Sequence, residues 1–282
     1  MDQSHLQAYL LSALRACAWL FILTVIFLPL ERLFAVHPRK IFRKPVIGDL
    51  GFYFVSSFLP QLVLAVPLAL AGYVAYTLVP GRLHAAVAAW PLWARGLAAF
   101  VVADFGFYWG HRLAHQVPFL WRFHVVHHAP EHVYYLISAR AHPVDNAFIR
   151  LCGLVPIAIL GLGAPQSVQG TLVATLLMLA VTVWGFFIHA NMRWRFGPLE
   201  WLVATPAFHL WHHTLSEPRN RNFASMLPCW DRLFGTHYLP HGQWPAAYGV
   251  EEKLPSSVVG QLIYPFLPPQ VAAPQPAPTN PG

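Results

Sequence analysis

Charged residues are scarce in this chain: Asp, Glu, Lys and Arg make up 10% of its 282 residues, where soluble domains carry about 25%. That shortage excludes an ordinary water-soluble globule, and 56% apolar residues exclude a disordered chain. Only three cysteines occur, Cys17, Cys152 and Cys229. Odd in number and widely spaced, they support neither a disulfide framework nor a cysteine-type zinc site. The His-Glu-x-x-His run of a zinc protease is missing, and the one Gly-x-Gly, Gly161 to Gly163, has no third glycine for a dinucleotide-binding turn. Basic residues outnumber acidic ones by 18 to 11, but nucleic-acid binding needs them clustered on a soluble domain. Here they lie in loops between apolar runs, so no nucleic-acid partner is expected. What the chain does have is long apolar runs and 16 histidines.

A hydrocarbon core about 30 Å thick takes roughly 20 apolar residues per helix. Residues 9–30 form such a run, interrupted only by Arg15; no small-residue cleavage site follows, so a retained helix is expected rather than a signal peptide. Further runs cover about 50–79, 97–110, 147–162 and 167–188. Pro60 and Pro67 make the 50–79 run one kinked span or two partial ones. The turn-like stretch 161–165 makes the last two runs a helical hairpin. The expected fold is all-α: a polytopic membrane bundle of about four or five spans with a helical, histidine-rich cytoplasmic cap. If five spans alternate, 15 of the 18 Lys and Arg residues fall on one side, which the positive-inside rule makes the cytoplasm. Residues 1–96 are then N-terminal transmembrane helices and 97–253 a second domain that holds most of the histidines. Residues 254–282 are a Pro-rich disordered tail, with seven prolines from Pro265 onwards.

The histidines are not scattered. His111-Arg-Leu-Ala-His115 ends the third run, and His124-Val-Val-His127-His128 and His209-Leu-Trp-His212-His213 repeat one pattern. On a helix, positions i, i+3 and i+4 share a face, so each triplet can aim its imidazoles at one place. A single such cluster has an ordinary explanation in interfacial histidines; two identical triplets and a pair on one side of the membrane point to metal. Imidazole ligates iron, zinc, copper and nickel. Eight clustered rings exceed the four to six positions of one ion, so two metal ions are expected. His189, ending an apolar run, and His142, before Pro143, are further candidate ligands, although His142 could instead face solvent. His132, His237 and His241 are weaker candidates, and His5, His37 and His84 are expected at the surface. Asp104 lies seven residues before His111 and is a candidate partner for a ring N–H, or for Arg112 or a tyrosine; Asp145 and Asp231 are similar. Asn222 is expected to contact the cluster or to cap a turn. Asp104 and Asn222 are therefore the catalytic candidates beside the histidine ligands.

At these residues the chain resembles the fatty acid hydroxylase/sterol desaturase superfamily of integral membrane oxygenases. The matching pieces run from Asp104 through Tyr108-Trp109-Gly110-His111-Arg112 to His115, then Trp121 to His128 and Arg140-Ala141-His142-Pro143. They continue at His189-Ala190-Asn191, at Thr205-Pro206 with the His209 triplet, and at Trp230 to Thr236. The resemblance spans about 104–238. It implies dioxygen-dependent hydroxylation or desaturation of a lipid at two iron ions held by histidine, with zinc able to replace iron on isolation. With no room in the remaining chain for a haem or flavin module, electrons are expected from a separate electron-transfer protein. The membrane is the bacterial inner membrane or the endoplasmic reticulum, according to the source cell. Two other readings fit the residues less well: a non-enzymatic metal- or haem-binding membrane protein, and a zinc-dependent lipid hydrolase working through metal-bound hydroxide.

Overall fold

The computed structural model describes residues 3–40, 43–162 and 168–268. Every regular element among them is helical, apart from one antiparallel bridge between Thr214 and Tyr248. Two long helices come first, α1 (Gln3–Phe34) and α2 (Lys44–Leu78). Their side chains are apolar nearly all round, the pattern of a helix that meets lipid instead of water. Leu6–Phe34 and Lys44–Leu78 are long and apolar enough to cross a membrane. Pro60 and Pro67 lie inside α2 without ending it, so the 50–79 run is a single helix. A short α3 (Gly81–Ala88) then bends by 118° into α4 (Leu92–Gln116), and this pair meets the same test only when taken together. Arg95, Asp104 and Arg112 all lie within α4 and make it less apolar than α1 and α2.

The later helices are shorter: α5 (Pro118–His128), α6 (Pro143–Ile159), α7 (Val168–His189), α8 (Pro206–His212), α9 (Cys229–Leu233) and α10 (Val258–Ile263). The apolar part of α7 that can be judged, Met178–His189, and the 17 residues of α6 are both shorter than a full span. Two helices, or three with the bent pair, therefore meet the requirement among the described residues, against the four or five expected. Residues 163–165 of the expected hairpin turn lie outside the described residues.

Helix α6 packs between α2 and α4. The α4–α6 crossing is close because its contact points are glycines: a Cβ on Gly106 would overlap the Cys152 carbonyl, and one on Gly153 would overlap the Phe107 ring. Small residues at a crossing let two backbones approach in this way. Phe27 of α1, Tyr53 of α2, Tyr135 and Phe186 of α7 share one apolar core. Tyr108 of α4, Ile188 of α7, Phe208 of α8 and Phe223 form another, and this second core adjoins the histidines through Phe223, whose ring lies 5.9 Å from that of His111.

The expected tail begins later than residue 254. Ser257 caps α10, whose buried Gln261 accepts a hydrogen bond from Arg140 at 2.7 Å. Arg122 donates to the Leu267 carbonyl. These contacts tie 254–268 to the folded body, while 269–282 lie outside the described residues.

Candidate metal centre

Each cluster sits where a helix begins or ends. His111 and His115 occupy the last turns of α4. Pro118 opens α5, where its missing N–H leaves no helical bond unmade, and α5 carries His124, His127 and His128. His189 is the final residue of α7. Pro206 opens α8, and the Thr205 hydroxyl accepts from the Phe208 amide at 3.4 Å. This short helix brings up His209 and His212, with His213 next in line.

These nine rings form two adjoining groups. One ring nitrogen each from His111, His115, His124, His128 and His212 lies within 4.8 Å of the others, and the same holds for His127, His189, His209 and His213. The groups meet where His128 and His213 stack at 4.4 Å between centroids. Both triplets contribute to both groups, so the two halves of the chain close on one place. All nine rings are buried except His115, which is half-buried. A cleft of about 310 Å³ reaches His115, His128 and His212 from outside, past Trp121 and Arg219.

The protons on these rings are fixed from outside. The Nδ1–H groups of His111, His127, His189 and His212 donate to the carbonyls of Phe223 (2.8 Å), Arg140 (2.9 Å), Gly185 (2.7 Å) and Arg221 (2.8 Å). His124 donates Nδ1–H to Asp145 Oδ2 at 2.9 Å. A carbonyl or carboxylate can only accept, so in the neutral ring each of these Nε2 atoms carries a lone pair. Yet His127 Nε2 faces His189 Nε2 at 3.2 Å, with no proton between two such rings. His189 Nε2 also faces His209 Nε2 at 3.0 Å, and His124 Nε2 faces His115 Nε2 at 3.1 Å. The Nε2 atoms of His111, His128, His212 and His213 are buried with no partner at all. Protonation would relieve the facing lone pairs, but burial pushes the other way: His124, His127, His128, His209, His212 and His213 are all held below the usual imidazole pKa, chiefly by desolvation. Convergent neutral imidazoles, five of them with Nε2 left unprotonated by their Nδ1 partners, are the donor set a transition-metal ion requires, and nine rings are enough for two ions.

A further layer aims the acceptors. The carbonyls that hold His111 and His212 belong to Phe223 and Arg221, in a segment with left-handed residues at Asn220 (φ 57°) and Asn222 (φ 61°), a conformation asparagine tolerates better than most. Asn222 donates to the Phe208 and Tyr238 carbonyls at 2.8 and 2.6 Å and accepts from the Tyr238 amide at 2.7 Å. Asp231 accepts from the amides of Phe223 and Ala224, both at 2.8 Å, and from the Thr236 hydroxyl at 2.6 Å. Asp104 accepts from the Met226 and Leu227 amides and from Trp230 Nε1, at 3.2, 3.1 and 3.0 Å. On the other side the buried guanidinium of Arg140 donates to Val126 O, to Asp49 at 2.5 Å and to Gln261, fixing the carbonyl that holds His127. Groups that orient ligating histidines in this way also tune the metal they hold.

Three sequence-based expectations change. Asp104 and Asn222 touch no clustered histidine; both build the loop whose carbonyls do. His142 lies outside both groups: its Nδ1 caps α6 by accepting from the Val144 amide at 3.1 Å, and its Nε2 bonds the Leu262 carbonyl at 3.1 Å. Both of its ring nitrogens are thus engaged by backbone groups. Among the described residues, Asp145 is the one carboxylate bonded to a clustered ring. His237 packs on Phe208 apart from the groups, while His37 and His84 bond the carbonyls of Pro245 and Ile159. The sequence reading missed Asn220, whose Oδ1 lies 3.1 Å from His115 Nδ1, and the buried role of Arg140, which it named only within the matching piece Arg140-Ala141-His142-Pro143. The spacing Asn220-Arg-Asn222, favourable to left-handed turns, was the one local signal for the former.

Comparison with known proteins agrees with this geometry. Over 180 residues the chain is 36% identical to the ornithine lipid hydroxylase OlsE of Rhizobium tropici, covering 63% of this chain and 52% of that protein. It is 33% identical over 183 residues to the alkylglycerol monooxygenase of Danio rerio, covering 64% of this chain and 38% of that protein. To methylsterol monooxygenase 2-2 of Arabidopsis thaliana it is 29% identical over 171 residues, covering 60% and 62%. The chain thus spans about half the length of the curated relatives it matches. No solved structure matches it. The sequence profile of the fatty acid hydroxylase family matches residues 96–236, half of the chain and the stretch that carries all nine converging histidines, and the chain belongs to that family.

Proposed function

We propose that this protein is a membrane-bound oxygenase that hydroxylates or desaturates a lipid, using two iron ions, dioxygen and electrons from a separate donor protein. The observation that carries the reading is the convergence of nine ring nitrogens in two adjoining groups, with facing pairs such as His127 Nε2 and His189 Nε2 left without a proton between them. His111, His115, His124, His128 and His212 would hold one ion, and His127, His189, His209 and His213 the other. Bound iron would supply the activation of dioxygen and the removal of hydrogen from an unactivated C–H bond. The chain's own contribution is to keep the rings in place and neutral: outer carbonyls and Asp145 hold the proton on Nδ1 in His111, His124, His127, His189 and His212, and burial disfavours protonation of Nε2. The aromatic core at Tyr108, Phe208 and Phe223 closes one side to water. The names of the relatives, which act on an ornithine lipid, alkylglycerols and a methylsterol, support a lipid substrate.

In this reading α1 and α2 anchor the chain and the basic loops face the cytoplasm, with the histidine centre on that side. Residues 97–253 form the catalytic part. The test is oxidation under ¹⁸O₂ in membranes containing the protein. The expected product is a lipid with one labelled oxygen, or one lacking two hydrogens that forms only when oxygen is present. A lipid cleavage product that accumulates equally without oxygen would overturn the reading in favour of hydrolysis at zinc.

A further inference from the structure

A cavity of about 240 Å³ opens between the end of α1 and the start of α2, lined by none of the nine clustered histidines. Its floor is apolar, formed by Leu20 and Leu28 of α1, Leu50 of α2, and Leu136. Its mouth is cationic, formed by Arg32, Arg39, Lys40 and Arg43. Among the described residues none of these four pairs with a carboxylate. Arg32 instead donates to the Arg39 carbonyl at 3.1 Å, and Arg43 lies 4.5 Å over the Tyr134 ring. The one acidic group facing the cavity is Glu31, whose Oε1 already accepts from the amides of Tyr135 (2.8 Å) and Asn191 (2.9 Å). His132, also in the lining, registers the resulting field: burial first, then the charges of Arg39 and Arg43, hold its imidazole below the usual range.

Four cations against one carboxylate, Glu31, lining a cavity with apolar walls at the ends of two membrane-spanning helices, leave a surplus of positive charge that complements one kind of molecule. We propose that this cavity binds a phospholipid of net negative charge. The phosphate sits among Arg32, Arg39, Lys40 and Arg43, and the first part of an acyl chain lies on Leu20, Leu28 and Leu50. Basic residues next to membrane helices attract anionic head groups, and here they surround a cavity that can also take the chain. The inference rests on α1 and α2 crossing the membrane, and on nothing that happens at the histidine centre.

The test is native mass spectrometry of the full chain in detergent, titrated with phosphatidylglycerol or phosphatidylcholine of identical acyl chains. One equivalent of phosphatidylglycerol should bind at least about tenfold more tightly, and the preference should shrink as salt is raised. Arg39→Gln, Lys40→Gln and Arg43→Gln together should abolish the preference, whereas Arg82→Gln with Lys253→Gln should leave it intact. Equal binding of the two lipids by the wild-type chain would overturn the proposal without reference to any variant. So would a preference that survives the triple replacement, or displacement of the lipid by millimolar inorganic phosphate, which would mark a site for a soluble anion. Neither iron nor turnover is read, so this result and the oxygenase proposal fail or stand separately.

Discussion

Replacing Asp145 with asparagine isolates the outer layer of the centre. The His124 Nδ1–Asp145 Oδ2 bond is 2.9 Å long, and the two side chains are 2% and 3% exposed. Asparagine keeps the shape and can still accept through Oδ1, so packing is preserved and only the charge is lost. A net hydrogen bond to a charged partner is worth about 1.5–3 kcal/mol and a neutral one about 0.5–1.5. The difference, roughly 1–1.5 kcal/mol, corresponds to about a tenfold change in an equilibrium constant, at the lower end of what outer partners of metal-ligating histidines usually contribute. His124 belongs to the five-histidine group, so the loss should fall on that ion and spare the one held by His127, His189, His209 and His213. Competition with a chelator, followed by metal analysis per chain, reads this directly. In Asp145→Asn one ion should leave at about tenfold lower chelator concentration while the other leaves as in wild type. Unchanged retention of both ions, or equal weakening of both, would refute the reasoning.

Other outcomes follow from the same geometry. His127→Ala and His212→Ala draw on different groups and different halves of the chain, yet each should abolish lipid oxidation and lower metal content. The double variant should cost little more than either alone, because groups acting as a unit are non-additive; His84→Ala, checked by the same metal analysis, should change nothing. Gly106→Ala places a methyl group against the Cys152 carbonyl and should destabilise the helix crossing by about 1–3 kcal/mol, as overpacking does. Gly72→Ala, with open space around it, should be neutral or slightly stabilising by helix propensity; thermal unfolding in detergent separates the two. Reporters fused after Lys44, Arg140 and His213 should read cytoplasmic and one near His84 external; an external signal after Arg140 would contradict the proposed orientation.

Much of the centre was legible because helical periodicity converts spacing into direction. The i, i+3, i+4 histidines of α5 and α8 had to share faces, and a cluster that dense has few uses other than metal. Periodicity gives no such guide to His142 and Asp104, whose partners are mostly backbone groups: Val144 and Leu262 for one, Met226 and Leu227 beside the Trp230 ring for the other. Nothing in a residue's type says which distant amide will face it. Arg140 was misjudged for a related reason. A loop arginine beside an apolar run reads as a membrane-side charge, but Asp49 on α2 and Gln261 on α10, 91 and 121 residues away, bury it. The apolar runs foretold an all-helical chain, yet run length alone could not separate a span from a helix buried against its neighbours. Helix α6 is 17 residues long, shorter than α1 and α2, and packs against α2 and α4.

The central claim is that nine histidines from four helices and the residue after them form one two-iron centre. Metal analysis of the full chain, purified gently in detergent after expression with ample iron, tests it most directly. The account predicts about two iron atoms per chain, falling to one or fewer in His212→Ala. One metal atom or fewer per wild-type chain would contradict it.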